Sequence, residues 1–249
     1  MAKSNGLGAN AYVHGYDLSN DIGQIDALFN VRDQVDVTGI DKSAHERLHS
    51  LMSGRLAFTG FFNDAALQEH VALKVIPTTD VIGTVFKTAA LAAVAAGLTG
   101  KRINYSLTRP TDGSLATVFE MLGNGEQIQY GLALTAGKRT DTSATNGTGV
   151  DFGTGSLAFG LVAYLHVFVF AGTSVTVAIQ ESSDNAVGDP YAAVTGGAFT
   201  AATGITAQRI ETSLTQTVER YLRAVTTGTF SNAIFAVMAK RYSAANGEM

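Results

Sequence analysis

Short apolar runs follow one another through the last part of the chain, and this rhythm limits the folds that it can adopt. From residue 157 to residue 242, Gly, Ser, Thr, Asn and Asp interrupt the runs every eight to twelve residues. Turns at that spacing are typical of β-sandwiches and barrels, whereas long helices need unbroken 3.6-residue periodicity. The pattern therefore predicts a mainly β protein whose function depends on contact surfaces.

Composition narrows the function classes. Only 15% of the 249 residues are charged, against about 25% in a typical protein, and a poorly charged surface favours contact with other subunits. The net charge of −4 disfavours tight nucleic-acid binding, which needs clustered Lys and Arg, and the absence of Cys excludes disulfides. The longest uncharged apolar run, residues 89–98, is about half of what a membrane span requires, so no membrane contact is predicted.

The clearest single strand lies near the N-terminus, over residues 31–38. Val31, Val35 and Val37 fall on one face with Asp33, and polar side chains alternate with them on the other face. Because successive strand residues point to opposite faces, this alternation predicts a strand that is buried on one side.

Three segments favour helix. Residues 41–52 begin with residues that cap helices, carry apolar side chains at helical spacing and end before a glycine. Residues 63–71 begin with Asn-Asp, and residues 88–96 are rich in alanine, the residue with the highest helix propensity, although a loop packed on a neighbour is an alternative there.

Glycine-centred turns between apolar runs predict three hairpins. Gly-Asn-Gly is a strong hairpin signal when it separates two alternating runs, and Gly flanked by Ala or Thr separates two further pairs of runs. The predicted turns are residues 123–125, 171–173 and 227–229.

Composition also predicts a division of the chain. Residues 1–140 form a first β-sandwich, which begins with a mobile arm at residues 1–10. Residues 141–156 are rich in Thr, Gly, Ser and Asp and form the predicted linker. Residues 157–249 then form a second, C-terminal β-sandwich.

One motif matches the residue types and spacing of a zinc site. Residues 45–49 spell H-E-x-x-H, in which His45 and His49 would share one face of a helix and hold zinc, with Glu46 as general base. Glu69 lies twenty residues beyond His49, at the distance where a third ligand occurs in one class of metalloprotease. These four residues define the hypothesis of a zinc hydrolase.

Other features argue against that hypothesis. The predicted helix has only about three turns, Arg47 would lie beside the metal, and no second long helix carries Glu69. The favoured interpretation is an exposed amphipathic helix.

Residues 181–185 offer oxygens that calcium could use, but they follow a strand and are interpreted as a turn. We therefore predict no catalytic residue, no metal and no cofactor.

Several segments, taken in order, resemble the tail tube (major tail) proteins of long-tailed bacteriophages. The likeness extends over residues 12–242, and each of its motifs is structural, so that the order carries the resemblance. The segments are Asp36-Val37-Thr38-Gly39, Ser43-Ala44-His45-Glu46-Arg47-Leu48, and residues 53–62, 134–142 and 220–230.

This resemblance implies a fold and a function. Tail tube proteins are β-sandwiches with short helices that join edge to edge into rings, commonly of six subunits, and the rings stack head to tail into a hollow tube. The tube encloses a tape-measure protein, meets a tail terminator, and later passes DNA without specific binding. An outer domain of immunoglobulin or jelly-roll type is common, which would correspond to residues 157–249. The expected location is the virion, after assembly in the bacterial cytoplasm, and the expected function is not enzymatic.

Two other function classes stay open at this point. A capsid decoration protein or a lectin-like receptor-binding virion protein would also use a C-terminal sandwich, although no aromatic cluster for sugar stacking is evident. The zinc hydrolase with His45, Glu46, His49 and Glu69 is the minor alternative.

Overall fold

The computed structural model describes residues 5–244, and it confirms the prediction of a mainly β protein. Four residues of the predicted N-terminal arm, residues 1–4, lie outside this range. The elements of the first half are β1 (Asn10–Val13), β2 (Tyr16–Asp17), β3 (Ile22–Asp36), β4 (Arg47–Phe61), α1 (Glu69–Leu73), β5 (Val81–Phe86), β6 (Val94–Thr108), β7 (Ala116–Gly123) and β8 (Gln129–Ala133).

Six further strands complete the fold, and every strand pair is antiparallel. No helix in residues 5–244 is long and apolar enough to cross a membrane. The later strands are β9 (Arg139–Asp141), β10 (Val150–Asp151), β11 (Leu161–Ser182), β12 (Ala192–Ala198), β13 (Thr206–Glu211) and β14 (Tyr221–Arg241).

Strand β6 connects the two layers of the first half. Its C-terminal part pairs with β7, which pairs with β4 and so continues to β3. Its N-terminal part pairs with β5 on one side and with β8 on the other. Apolar side chains between these layers form one buried core, which includes Leu56, Phe58, Leu98, Phe119 and Met121.

The second half is built on β11 and β14, which pair with each other from end to end. β12 and β13 pair with the other edge of β11, while β8, β9 and β10 pair with the other edge of β14. Most of the apolar side chains of this pair are buried, among them Val177, Leu222 and Phe235.

A third core joins the two halves. Tyr12 packs edge-on against Phe86 and Phe168, with ring centroids 5.3 and 4.8 Å apart. The ring of Tyr164 lies so close to Gly97 that a Cβ there would approach it to 2.6 Å. This close approach of an aromatic ring to the backbone requires a residue without a side chain at position 97.

A buried histidine belongs to the same core. The Nδ1 atom of His166 accepts a hydrogen bond from the backbone N–H of Gly15 at 3.1 Å, which ties the β1–β2 turn to β11. Burial lowers the pKa of His166 to about 3, because the charged imidazolium cannot be solvated there. The histidine is therefore neutral in the folded protein.

Residues 139–155 are attached along β14. Arg241, at the end of β14, donates six hydrogen bonds, five of them to backbone carbonyls, and three of these lie in residues 152–155. Asp141 accepts from the Thr226 hydroxyl at 2.7 Å, and β10 pairs with β14. The segment predicted as a linker thus lies against the second half, while the domain boundaries stay a prediction.

Two of the three predicted helices are wrong. Residues 41–52 form a loop and the start of β4, because the pairing with β3 outweighs a weak helix propensity. The alanine-rich segment 88–96 forms a turn that leads into β6. Within residues 63–71 the chain becomes helical only at Glu69, where α1 begins.

The three predicted hairpins are also wrong. β7 and β8 flank the Gly-Asn-Gly turn, but they pair with different parts of β6 and not with each other. Gly172 and Gly228 lie inside the single strands β11 and β14, where Gly172 is opposite Phe230 at a shift in register and Gly228 is opposite Val175. Both have positive φ angles, 147° and 115°, so these glycines bend continuous strands and do not reverse the chain.

Candidate assembly interface

A β-hairpin extends beyond the first sheet. β4 pairs with β7 only from Arg55 onwards, and before that residue it pairs with β3 alone. We call residues 31–53 the projecting hairpin. Its side chains are exposed from residue 31 to residue 51, except for Thr38 and Gly39, which are half-buried. At the rise of a β-strand, this ribbon reaches about 20 Å from the sheet.

The base of the projecting hairpin is fixed by side-chain hydrogen bonds. Asn30 donates to the carbonyl of Ile128 at 3.1 Å and accepts from its N–H at 2.6 Å. The Tyr130 hydroxyl donates to the carbonyl of Leu28 at 2.9 Å. A Cβ at Gly54 would lie 2.7 Å from Leu98, so the ribbon leaves the sheet at a point of close packing. The direction of the hairpin is therefore defined.

The tip is ordered by a small polar network. Asp36 accepts hydrogen bonds from the N–H and hydroxyl of Thr38, which lower the pKa of the carboxyl group. The other oxygen of Asp36 lies 2.8 Å from Nδ1 of His45, and Thr38 Oγ1 accepts from the N–H of Glu46. Lys42 and Glu46 form an ion pair at 3.5 Å. These contacts close the loop between the two strands.

One face of the projecting hairpin is apolar and uncovered. Val35 lies opposite Leu48 in the ladder, and these residues are 52% and 60% exposed. Val31 and Val37 share that face by alternation and are also exposed. The predicted strand is thus present, but the predicted burial of its valine face is wrong within a single chain. An exposed apolar face on a two-stranded ribbon, which is marginally stable alone, marks a contact surface.

The same hairpin carries a free sheet edge. Among the described residues, β3 pairs with no strand other than β4, so no strand continues the sheet on its other side, where the N–H of Ile22 donates to Leu18 and the carbonyl of Leu28 accepts from Tyr130. β12 and β13 are likewise paired on one side only, with β11. Unpaired edges are available for pairing with another chain unless they are shielded.

The H-E-x-x-H residues lie on this hairpin and not on a helix. His45 is at the tip beside Asp36, and His49 lies on β4 opposite Gln34. Glu69 belongs to α1 beyond the other end of β4, where burial raises the pKa of its carboxyl group. Within residues 5–244, no three His, Asp or Glu side chains are grouped to hold a metal. The structure does not bring the four residues of the zinc hypothesis together.

Sequence reasoning missed what fixes the projecting hairpin to the sheet. Asn30 is a single polar residue within an apolar and polar alternation, and no local pattern indicates that it bonds a residue 98 positions away. The alternation at residues 31–38 did contain the signal for the contact surface, because it marked a strand face that needs cover.

Comparison with known proteins gives no family. No protein-family model matches the chain, and no curated protein matches it. Among solved structures, the chain is similar to the Dit protein of phage SPP1, described as a hub of the adsorption apparatus of phages infecting Gram-positive bacteria. That match has 12% identity and a TM-score of 0.33, and it covers 94% of this chain and 99% of that one.

Two structures of the phage P2 baseplate in its activated conformation, with Ca and with Sr, are similar in the same way. Identity is 10% and 11%, the TM-score is 0.30 for both, and the matches again cover 94% of this chain and 99% of the other. At such scores the likeness carries no argument about function, which has to be made from the chain itself.

Proposed function

We propose that the chain is a non-enzymatic structural subunit of the tail tube of a long-tailed phage. The observation that carries this proposal is the projecting hairpin, with an apolar face that nothing in the described chain covers. Three of the five segments that resemble tail tube proteins lie in and around this hairpin, at residues 36–39, 43–48 and 53–62. A subunit that is completed by its neighbours accounts for both features.

Assembly would use two kinds of contact. The unpaired edge of β3 offers backbone hydrogen bonds to a strand of a neighbour, which continues the sheet around a ring. The apolar face of the projecting hairpin offers a second contact, to a copy outside that ring. Contacts between different surfaces of identical subunits propagate, so rings stack into a filament unless a terminator stops them.

The proposed partners follow from a hollow tube. A tape-measure protein would occupy it during assembly, a terminator would close its end, and DNA would pass through it in the virion. The net charge of −4 suits passage without specific binding, because a wall that neutralises few phosphates releases few counterions.

The test is assembly of the purified protein. Electron microscopy with negative stain and sedimentation velocity of the concentrated protein should show rings or tubes. The variant Val35→Asp/Leu48→Asp should lose tubes, because it places two carboxylates on the apolar face. The control is Val187→Asp, a substitution of an even more exposed valine in a loop of the second half, which should assemble as the wild type does.

A wild-type protein that stays monomeric at high concentration would contradict the proposal. If such a monomer bound glycans on an array, the receptor-binding alternative would replace it. Equal assembly by the hairpin variant and by its control would show that the uncovered face has no role.

A further inference from the structure

Residues 126–130, at the connection between β7 and β8 and the start of β8, contact the base of the projecting hairpin. Ile128 exchanges two hydrogen bonds with Asn30, at 3.1 and 2.6 Å, and the Tyr130 hydroxyl donates to the carbonyl of Leu28 at 2.9 Å. Both partners belong to β3, just before the projecting hairpin begins. We call residues 126–130 the bridging segment.

The bridging segment is also held by the second half of the chain. The Glu126 carboxylate lies 2.9 Å from Nη2 of Arg209 on β13. The side-chain oxygen of Gln129, a buried residue, accepts a hydrogen bond from Nζ of Lys240 on β14 at 3.1 Å. One short segment therefore connects the base of the hairpin to two strands of the second half.

The ion pair between Glu126 and Arg209 is fixed and partly buried. Nη2 of Arg209 also lies 2.8 Å from one carboxylate oxygen of Glu211, whose other oxygen accepts from the Tyr242 hydroxyl at 2.8 Å. The side chains of Glu126 and Arg209 are 22% and 18% exposed. Burial raises the pKa of the Glu126 carboxyl group, and the positive charge of Arg209 opposes that rise. Such a pair contributes more than an exposed one, because removing one partner leaves the other charge poorly solvated.

We propose that the second half fixes the direction of the projecting hairpin through the bridging segment. Before residue 55 the hairpin has no neighbouring strand among the described residues, so its direction depends on the contacts at its base. A two-stranded ribbon is only marginally stable by itself, which increases the importance of those contacts. The second half is then a positioning element for the hairpin, and not only an outer addition to the first sheet.

The consequence for assembly rests on the proposed function. A contact surface that already has one direction loses less conformational entropy when it binds, so a fixed hairpin binds a neighbour more tightly than a mobile one. The positioning itself is a property of a single chain. It can therefore be measured at concentrations at which no rings or tubes form.

A distance measurement between two spin labels, by pulsed electron paramagnetic resonance, tests the positioning. The chain contains no Cys, so labels are attached to Ile40→Cys at the tip of the hairpin and to Thr229→Cys on β14, where both native residues are exposed. We expect one narrow distance distribution in this labelled protein. Adding Glu126→Gln, which keeps the size of the side chain and removes its charge, should raise the fraction of molecules at other distances about five-fold.

Further variants separate the contacts. Arg209→Gln, alone or together with Glu126→Gln, should give the same distribution as Glu126→Gln, because all three proteins lack the same ion pair. Lys240→Met removes the other bond to the bridging segment, so it should also widen the distribution, and it decides the question if an ion-pair variant fails to fold by circular dichroism. The control is Asp151→Asn, which breaks the ion pair with Arg220 inside the second half and should leave the distances unchanged.

The outcomes separate this positioning from the proposed function. An unchanged distribution in the ion-pair variants and in Lys240→Met, or an equal change in the control, would overturn the positioning and leave the tube subunit standing. Absence of rings and tubes in the wild-type protein would instead remove the proposed function, while the measured distances still decide the positioning.

Discussion

Two long pairs of antiparallel strands in this molecule differ in what covers them. The β11–β14 pair has other strands along both edges, and Leu222 within it is fully buried. In the projecting hairpin, before residue 55, the β3–β4 pair has no neighbouring strand among the described residues, and Leu48 within it is 60% exposed. Both pairs carry apolar side chains in regular alternation, so alternation shows which face needs cover but not which chain supplies it.

Truncation in the covered pair should have the largest effect on stability. Leu222→Ala removes a fully buried side chain and leaves a cavity, so we expect the free energy of unfolding to fall by about 2–5 kcal/mol. Urea denaturation monitored by circular dichroism measures this change. A loss below about 1 kcal/mol would mean that the β11–β14 pair is less tightly packed than its burial indicates.

Adding a side chain where the two halves pack most closely should have the next largest effect on stability. Gly97→Ala places a Cβ 2.6 Å from the Tyr164 ring of β11, and the resulting overpacking should cost about 1–3 kcal/mol of unfolding free energy. Gly204→Ala is the control, since a Cβ there meets no atom within 4 Å. Equal unfolding midpoints of the two variants would contradict the packing of Tyr164 on β6.

The buried histidine predicts the pH dependence of the covered half. Unfolded His166 has a pKa near 6.5 and binds a proton at pH 5, whereas the folded residue, with a pKa of about 3, does not. Its contribution to stability is therefore present above pH 6.5 and is lost progressively as the pH falls towards 3. Between pH 7.5 and pH 5 the loss should be about 2 kcal/mol.

The matched variant for this prediction is His166→Gln, which does not titrate and can still accept the N–H of Gly15. Unfolding free energies of both proteins at pH 7.5 and pH 5 are compared, so that the other titrating groups largely cancel. The same pH dependence in both proteins would show that His166 is not buried as a neutral group.

The sequence allowed the fold class and individual strands to be predicted, but not how the strands pair. Gly172 and Gly228 have the composition of hairpin turns, yet each bends a strand of more than twenty residues. Their role depends on partners far along the chain, because β11 and β14 bend opposite each other. Local turn chemistry contains no information about such a partner.

The candidate interface was predictable in part for a related reason. The valine alternation at residues 31–38 identified the strand correctly, while the residues after it were assigned to a helix because Leu48 and Met52 have helical spacing. In the structure Leu48 is instead opposite Val35. Pairing between β3 and β4 decides between the helical and the strand periodicity of these residues. That pairing cannot be inferred from either segment alone.

The smallest effect on stability should come from the uncovered pair, and it should be accompanied by a large effect on assembly. Leu48→Ala removes a side chain that is mostly in water, so the unfolding free energy should change by no more than about 0.5 kcal/mol. The concentration at which tubes appear should nevertheless rise several-fold, because each subunit loses apolar contact that is multiplied along the ring. Light scattering across a dilution series measures that concentration, with Val187→Ala as the control. If Leu48→Ala instead unfolded the protein as Leu222→Ala does, Leu48 would be covered within its own chain, and the contrast between the two strand pairs would disappear.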